Sequence, residues 1–181
     1  WLRGQNIWTN TRAKNSGFVK MVLKFLKIIL IGVLILVITL SILLMLLSMQ
    51  PFVPNNYTQT VKTGGELEAR YLAMGTSQVE HMEVPTEEEW GNINVYYPKE
   101  LTESEESYPV VVFVNGTGLF SSKYPALFKH LASWGFIVIG NEDPSTYSGS
   151  SADTTLAWLL NENENPDSRF YQKVDTEHIG I

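Results

Sequence analysis

The chain has 181 residues, 44% of them hydrophobic, a formal net charge of −6 and no cysteine. Without cysteine neither disulfides nor thiolate metal sites can form, so the fold is held by its apolar core alone. Six of the 13 basic residues (Arg3, Arg12, Lys14, Lys20, Lys24 and Lys27) precede position 28, leaving 7 basic against all 19 acidic residues beyond it, a net of −12 that excludes a nucleic-acid partner.

The first predicted element is a membrane helix. Ile28 to Met49 contains no charged residue and is interrupted only by Gly32, Thr39, Ser41 and Ser48. At roughly 1.5 Å per residue such a helix crosses a hydrocarbon core of about 30 Å. A run this long without charge is unusual inside a small domain, which disfavours a buried core helix. The basic flank places the N-terminus in the cytoplasm and the remainder outside it. A cleavable signal peptide starting at Met21 competes with this reading. The apolar stretch exceeds a usual signal core, however, and Leu46 to Gln50 lacks a small-residue cleavage site, so an uncleaved signal anchor in the cell membrane is expected. Because the chain opens on Trp1, its natural start is expected either upstream or at Met21. The expected organisation is a basic cytoplasmic segment over 1–27, the transmembrane anchor over 28–49, a tether over 50–77 and a partial α/β domain over 78–181.

Past the anchor, Pro51, Pro54, Asn55 and Asn56 suit a tether. Gln78 to Val84 and Ile93 to Tyr97 read as short strands of an antiparallel hairpin at the sheet's edge, joined through the acidic turn Glu87 to Gly91. Val110 to Val114 is apolar at every position, as a strand covered on both faces should be. The spacing of Tyr124, Leu127, Phe128, Leu131 and Ala132 predicts a helix with Pro125 in its first turn, Ser121 or Ser122 as cap and Gly135 as terminator. Ile137 to Ile139 is a second buried strand, reached by a right-handed parallel crossover. Ser151 can cap a further helix through Ala152, Leu156, Leu159 and Leu160, with Asp153 near its positive end and a break over Asn161 to Pro166. Ile179 to Ile181 opens a third parallel strand. The acidic clusters Glu87 to Glu89 and Glu103 to Glu106 lack the ligand pattern of a calcium loop and read as solvated charge, so no metal or cofactor is implied.

The turn Asn115-Gly116-Thr117-Gly118 follows a buried strand and carries two glycines, which lets backbone N–H groups point at an anion or a developing oxyanion. Neither a dinucleotide nor a P-loop phosphate motif is present, which leaves the oxyanion role as the sharper hypothesis beside a plain structural turn.

Pro109 to Gly118, Leu131 to Ile139, and Lys173 to Thr176 with Ile179 to Ile181 resemble the dienelactone hydrolase, chlorophyllase and cutinase-like polyester hydrolase branch of the α/β hydrolases. Val95-Tyr-Tyr-Pro98 resembles the edge strand that precedes these elements. The resemblance implies a serine ester hydrolase in which Thr117 N–H is one oxyanion donor, with Gly116 and Gly118 shaping the turn and Asn115 packing or forming it. It also implies a nucleophile elbow about four residues past Ile181, with the acid and histidine further on, so this segment by itself is expected to be inactive. Asp143 and Tyr147, after the second strand, are candidates for lining a substrate cleft. His81, His130 and His178 read as structural or surface residues, and Ser121, Ser122 and Ser133 as cap or helix-surface residues. The expected partners are an ester substrate and, through 28–49, a lipid bilayer. The alternative is a non-catalytic, membrane-tethered binding or sensor module on a hydrolase scaffold.

Overall fold

A computed structural model describes residues 5–181, with side chains from residue 17 onward. The expectations that rest on Trp1 and Arg3 lie outside the described residues. The chain divides after Gln50 into two compact units.

The first unit is the helix α1 (Gln5–Ser48), which begins well before the apolar run. Within Gly17–Ser48 the most apolar 18-residue window has a mean hydropathy of 3.2 and no buried residue. By length and composition it is able to cross a membrane, a measure that a signal sequence near an N-terminus also meets. Its hydroxyls are compatible with hydrocarbon because they bond back onto the helix: Thr39 Oγ1 donates to Ile35 O at 3.0 Å and Ser41 Oγ to Val37 O at 2.8 Å.

The second unit starts with two short helices, α2 (Tyr57–Thr60) and α3 (Glu66–Leu72), in the stretch expected to be a tether. Within this unit the stretch makes specific bonds. Phe52 N–H donates to Lys123 O at 2.9 Å, Gly75 N–H to Ser133 Oγ at 2.8 Å and Ser77 N–H to Ser133 O at 3.1 Å.

Strands β1 (Val79–Pro85), β2 (Asn92–Pro98), β3 (Tyr108–Phe113), β4 (Ile137–Asn141) and β5 (Val174–Gly180) form one mixed sheet in the order β1-β2-β4-β3-β5. The hairpin is antiparallel as expected, closed by Thr86 N–H to Gly91 O at 2.8 Å. Its second strand, however, is not at the edge. β2 also pairs antiparallel with β4, Ile93 opposite Asn141 and Tyr96 opposite Val138, and it is buried from Ile93 to Pro98. β3 lies between β4 and β5 and is parallel to both.

Helix α4 (Pro125–Ser133) joins β3 to β4, and α5 (Ser150–Glu164) joins β4 to β5. The chain steps one way from β3 to β4 and back the other way from β4 to β5. Keeping one crossover hand through that reversal puts the two helices on opposite faces. Two apolar clusters result. On the α5 face, Ile93, Val95, Tyr97, Val110, Val112, Ile137, Ile139, Leu159 and Phe170 pack together, and on the α4 face Tyr96, Phe128, Ala132 and Val138 do so. Phe128 is the hub of the latter, edge-on to Tyr96 at 5.3 Å and to Phe113 at 5.0 Å between ring centroids.

Several sequence expectations are corrected. Ser121 and Ser122 do not cap α4: Tyr124 takes that position, and both serines turn instead to Glu142. Ser151 does not cap α5, because Gly149, in the left-handed region at φ 78°, precedes that helix and leaves Ser151 buried inside its first turn. The same helix runs on through Asn161 to Glu164 before it breaks.

Candidate active site

After β3 the chain turns at Asn115-Gly116-Thr117-Gly118. The Leu119 amide donates to Gly116 O at 2.9 Å and closes a four-residue turn with Thr117 and Gly118 at its centre. Gly118 has φ 75°, the value that a type II turn requires at its third position and that a side chain would resist. The Gly118 amide is itself spent on Pro144 O at 2.8 Å. The Thr117 N–H, just ahead of these two fixed amides on an exposed residue, has no acceptor among the described residues. An unpaired N–H on an immobilised backbone is what an anion or oxyanion site is built from.

The turn also sits where the topology favours a ligand. Because the chain leaves β3 to one side and returns to the other, the carboxyl ends of β3 and β5 flank the point of reversal, and ligands of open α/β sheets bind in the crevice outside such a point.

The loop from β4 to α5 backs the turn. Asn115, 4% exposed, sends its Nδ2 to Asn141 O at 2.6 Å and to Asp143 O at 3.2 Å, while Thr146 Oγ1 donates to Asn115 O. Asn141 is in turn tied to α5 by Nδ2 bonds of 2.9 Å to Ser151 O and to Thr155 Oγ1. Of the two residues expected to line a cleft, Asp143 faces its own loop, its Oδ1 accepting the Ser145 amide at 2.7 Å, and Tyr147 is 90% exposed.

A second polar cluster lies beside it. One Glu142 oxygen accepts from Asn94 Nδ2 at 2.8 Å, Ser121 Oγ at 2.7 Å and Ser122 N–H at 2.8 Å, and the other accepts from Ser122 Oγ at 2.7 Å. His81 donates from Nε2 to Asn94 Oδ1 at 3.1 Å and stacks on Tyr96 at 4.2 Å. This is not a nucleophile with its base: Asn94 separates His81 from Ser121, and the Ser121 hydroxyl donates to a carboxylate. Sequence reasoning missed Asn94, Asn141, Glu142 and Thr146, whose partners are remote in the chain and carry no local motif.

The other histidines and serines are structural. His130 is buried, donating from Nε2 to Ala73 O at 2.9 Å, which leaves Nδ1 to accept the Tyr57 hydroxyl. His178 is exposed and pairs with Asp175 at 2.8 Å, a contact that holds the Asp175 carboxyl below its ordinary value. Ser133 Oγ donates to His130 O at 2.6 Å. Burial raises the Tyr96 and Tyr57 phenols, and it raises that of Tyr97 against the opposing pull of Arg169. No group of three or more acidic or histidine side chains suited to a metal occurs among the described residues.

The sheet order and the helices on its two faces define the class, a partial α/β fold. Residues 68–155 match the Chlorophyllase family model, a family of the chlorophyllase and cutinase-like branch of the α/β hydrolases. No curated protein matches the chain.

Proposed function

We propose that this chain contributes the membrane anchor and the oxyanion turn of an extracytoplasmic serine ester hydrolase. The observation that carries the reading is the Thr117 N–H, unpaired immediately before the spent amides of Gly118 and Leu119 at the carboxyl end of β3. A serine hydroxyl attacking an ester carbonyl would form a tetrahedral intermediate whose oxyanion accepts from Thr117 N–H and from the amide after the nucleophile. No described serine has a free hydroxyl beside a histidine, so the described residues supply the oxyanion turn of this scheme and not its nucleophile, acid or base. The membrane reading is supported by the apolar stretch Gly17–Ser48 and by the basic residues on its N-terminal side, which would leave the domain outside the cytoplasm.

The test is Thr117→Pro in the full-length protein. Proline is favoured at the second position of a type II turn and lacks only the N–H, so it deletes the donor and keeps the turn. Loss of one such donor slows catalysis about 100-fold or more. The expected result is that fall in kcat toward a simple aryl ester with an unchanged melting temperature. Unchanged kcat, or failure of the folded wild type to react with a serine-directed fluorophosphonate, would favour a tethered binding module instead.

A further inference from the structure

The turn does not hold itself in place. On its N-terminal side, Asn115 is fastened by Nδ2 to two carbonyls of the β4–α5 loop and by its own carbonyl to the Thr146 hydroxyl. On its C-terminal side, the Gly118 amide is fastened to Pro144 of the same loop. The loop is fixed to α5 through Asn141, whose side chain also accepts the Asp143 amide at 3.1 Å. Asn115, Asn141, Thr146 and Thr155 are all buried. Four buried polar side chains in one column are a poor choice for stability alone, since apolar residues of similar volume would avoid their desolvation. Their shared geometric effect is on the two amides between the fastened points, those of Gly116 and Thr117, of which the hydrolase reading makes Thr117 the oxyanion donor.

We propose that Asn115, working through the β4–α5 loop, is the positioning residue that sets the direction of the Thr117 N–H and thereby the oxyanion specificity of the site. Asn115 touches no reacting atom. The inference rests on the hydrolase reading for its catalytic consequence, while its structural content, an aimed amide, stands separately. Removing the Asn115 amide releases one side of the turn, and the Thr117 N–H then samples orientations away from the carbonyl oxygen. A displacement on the order of 1 Å at a reacting centre lowers the rate about 100-fold.

The experiment has two readouts. In the full-length protein, wild type, Asn115→Ala and the milder Thr146→Val are compared on a matched pair of substrates, an oxo ester and its thiono analogue. Sulfur accepts hydrogen bonds poorly, so the ratio of kcat/KM values between the two reports the oxyanion contact itself. Leu101→Ala, a core truncation away from the turn, serves as the stability control. The proposal expects the oxo/thiono ratio to fall about ten-fold or more in Asn115→Ala, with kcat lowered and KM little changed, to fall less in Thr146→Val, and to stay constant in Leu101→Ala. A ratio unchanged in both turn variants overturns it.

The second readout is 15N relaxation of the Thr117 amide in the full chain. Order typical of rigid backbone is expected in wild type and clear loosening in Asn115→Ala. Equal order in both overturns the proposal whether or not any ester is hydrolysed. Loosening confined to Asn115→Ala, in a protein whose wild type hydrolyses nothing, would retire the hydrolase reading and leave the amide-aiming role supported.

Discussion

The stretch before β1 can be tested through one glycine. An added Cβ at Gly75 would lie 2.0 Å from Ser133 O and 2.4 Å from Ser133 C, whereas one at Gly65 would meet nothing within 4 Å. The obstacle at Gly75 is backbone at the end of α4, so no rotamer change relieves it, and Gly75→Ala must push the stretch off the helix. Leaving would break Gly75 N–H to Ser133 Oγ and Ser77 N–H to Ser133 O, and would loosen Ala73 O, which accepts from both His130 and Trp134. At about 1 kcal/mol net for each bond, the loss is about 3 to 4 kcal/mol. For a unit of this size that corresponds to a fall of about 10 to 15 °C in melting temperature. Thermal unfolding followed by near-ultraviolet circular dichroism would measure it, with Gly65→Ala as a control expected to melt with wild type. A Gly75→Ala protein melting within 2 °C of wild type would refute the argument and return these residues to the status of a free linker.

Four further outcomes are expected. Phe128→Ala, which empties the centre of the α4-face aromatic cluster, should destabilise by about 3 to 5 kcal/mol in chemical denaturation, and a loss under 1 kcal/mol would show that the cluster repacks. The Tyr97 phenol is raised mainly by burial, so its contribution is complete below its unfolded value of 10.0 and is lost as the pH climbs through the folded value. Alkaline unfolding followed by circular dichroism should therefore be shallower in Tyr97→Phe. Asp175 is held low chiefly by its bond from His178, so its contribution is present above the unfolded value and is lost as the pH falls through the lower folded one. His178→Ala should move the Asp175 titration, read by carboxyl NMR, back toward 3.8, and solvent screening should leave the melting temperature unaltered. Since the chain has no cysteine, Lys14→Cys and Glu103→Cys each give a single reporter. In intact cells an impermeant maleimide should label only the second, and labelling of the first would reverse the proposed topology.

The core strands were legible as unbroken apolar sequence: Val110 to Phe113 and Ile137 to Ile139 lie in β3 and β4, parallel and adjacent, while Val114, expected in the first of them, is exposed beyond its end. α4 was legible from its spacing and from Pro125. Capping was not legible, because Ser121, Ser122 and Ser151 look like caps to a local rule, and only the distant Glu142 and the left-handed Gly149 redirect them. The interior place of β2 was hidden for the same reason, since its second partner, β4, lies some 45 residues away and leaves no trace in the hairpin's own pattern. At the site, the Gly-rich turn pointed to a nest, but the choice of Thr117 within it came from the resemblance. The clasp on Asn115 had no signal, because the atoms it holds are backbone carbonyls, which every residue possesses.

The placement of polar residues supports a division of labour along the sheet. Through most of β2, β3 and β4 the buried side chains are Val, Ile and Tyr, and their packing needs few directional bonds. At the carboxyl end of β3 and β4 the buried residues become Asn94, Asn115, Asn141, Thr146 and Thr155, each engaged with another loop or helix. A purely structural end to these strands would be served by apolar packing, which tolerates shifts of several tenths of an ångström, whereas hydrogen bonds lose strength steeply with misalignment and so fix direction. Direction matters only where an atom must be aimed. In this region the amides left to be aimed are those of Gly116 and Thr117, which is why the polar column and these N–H groups are best understood as one device.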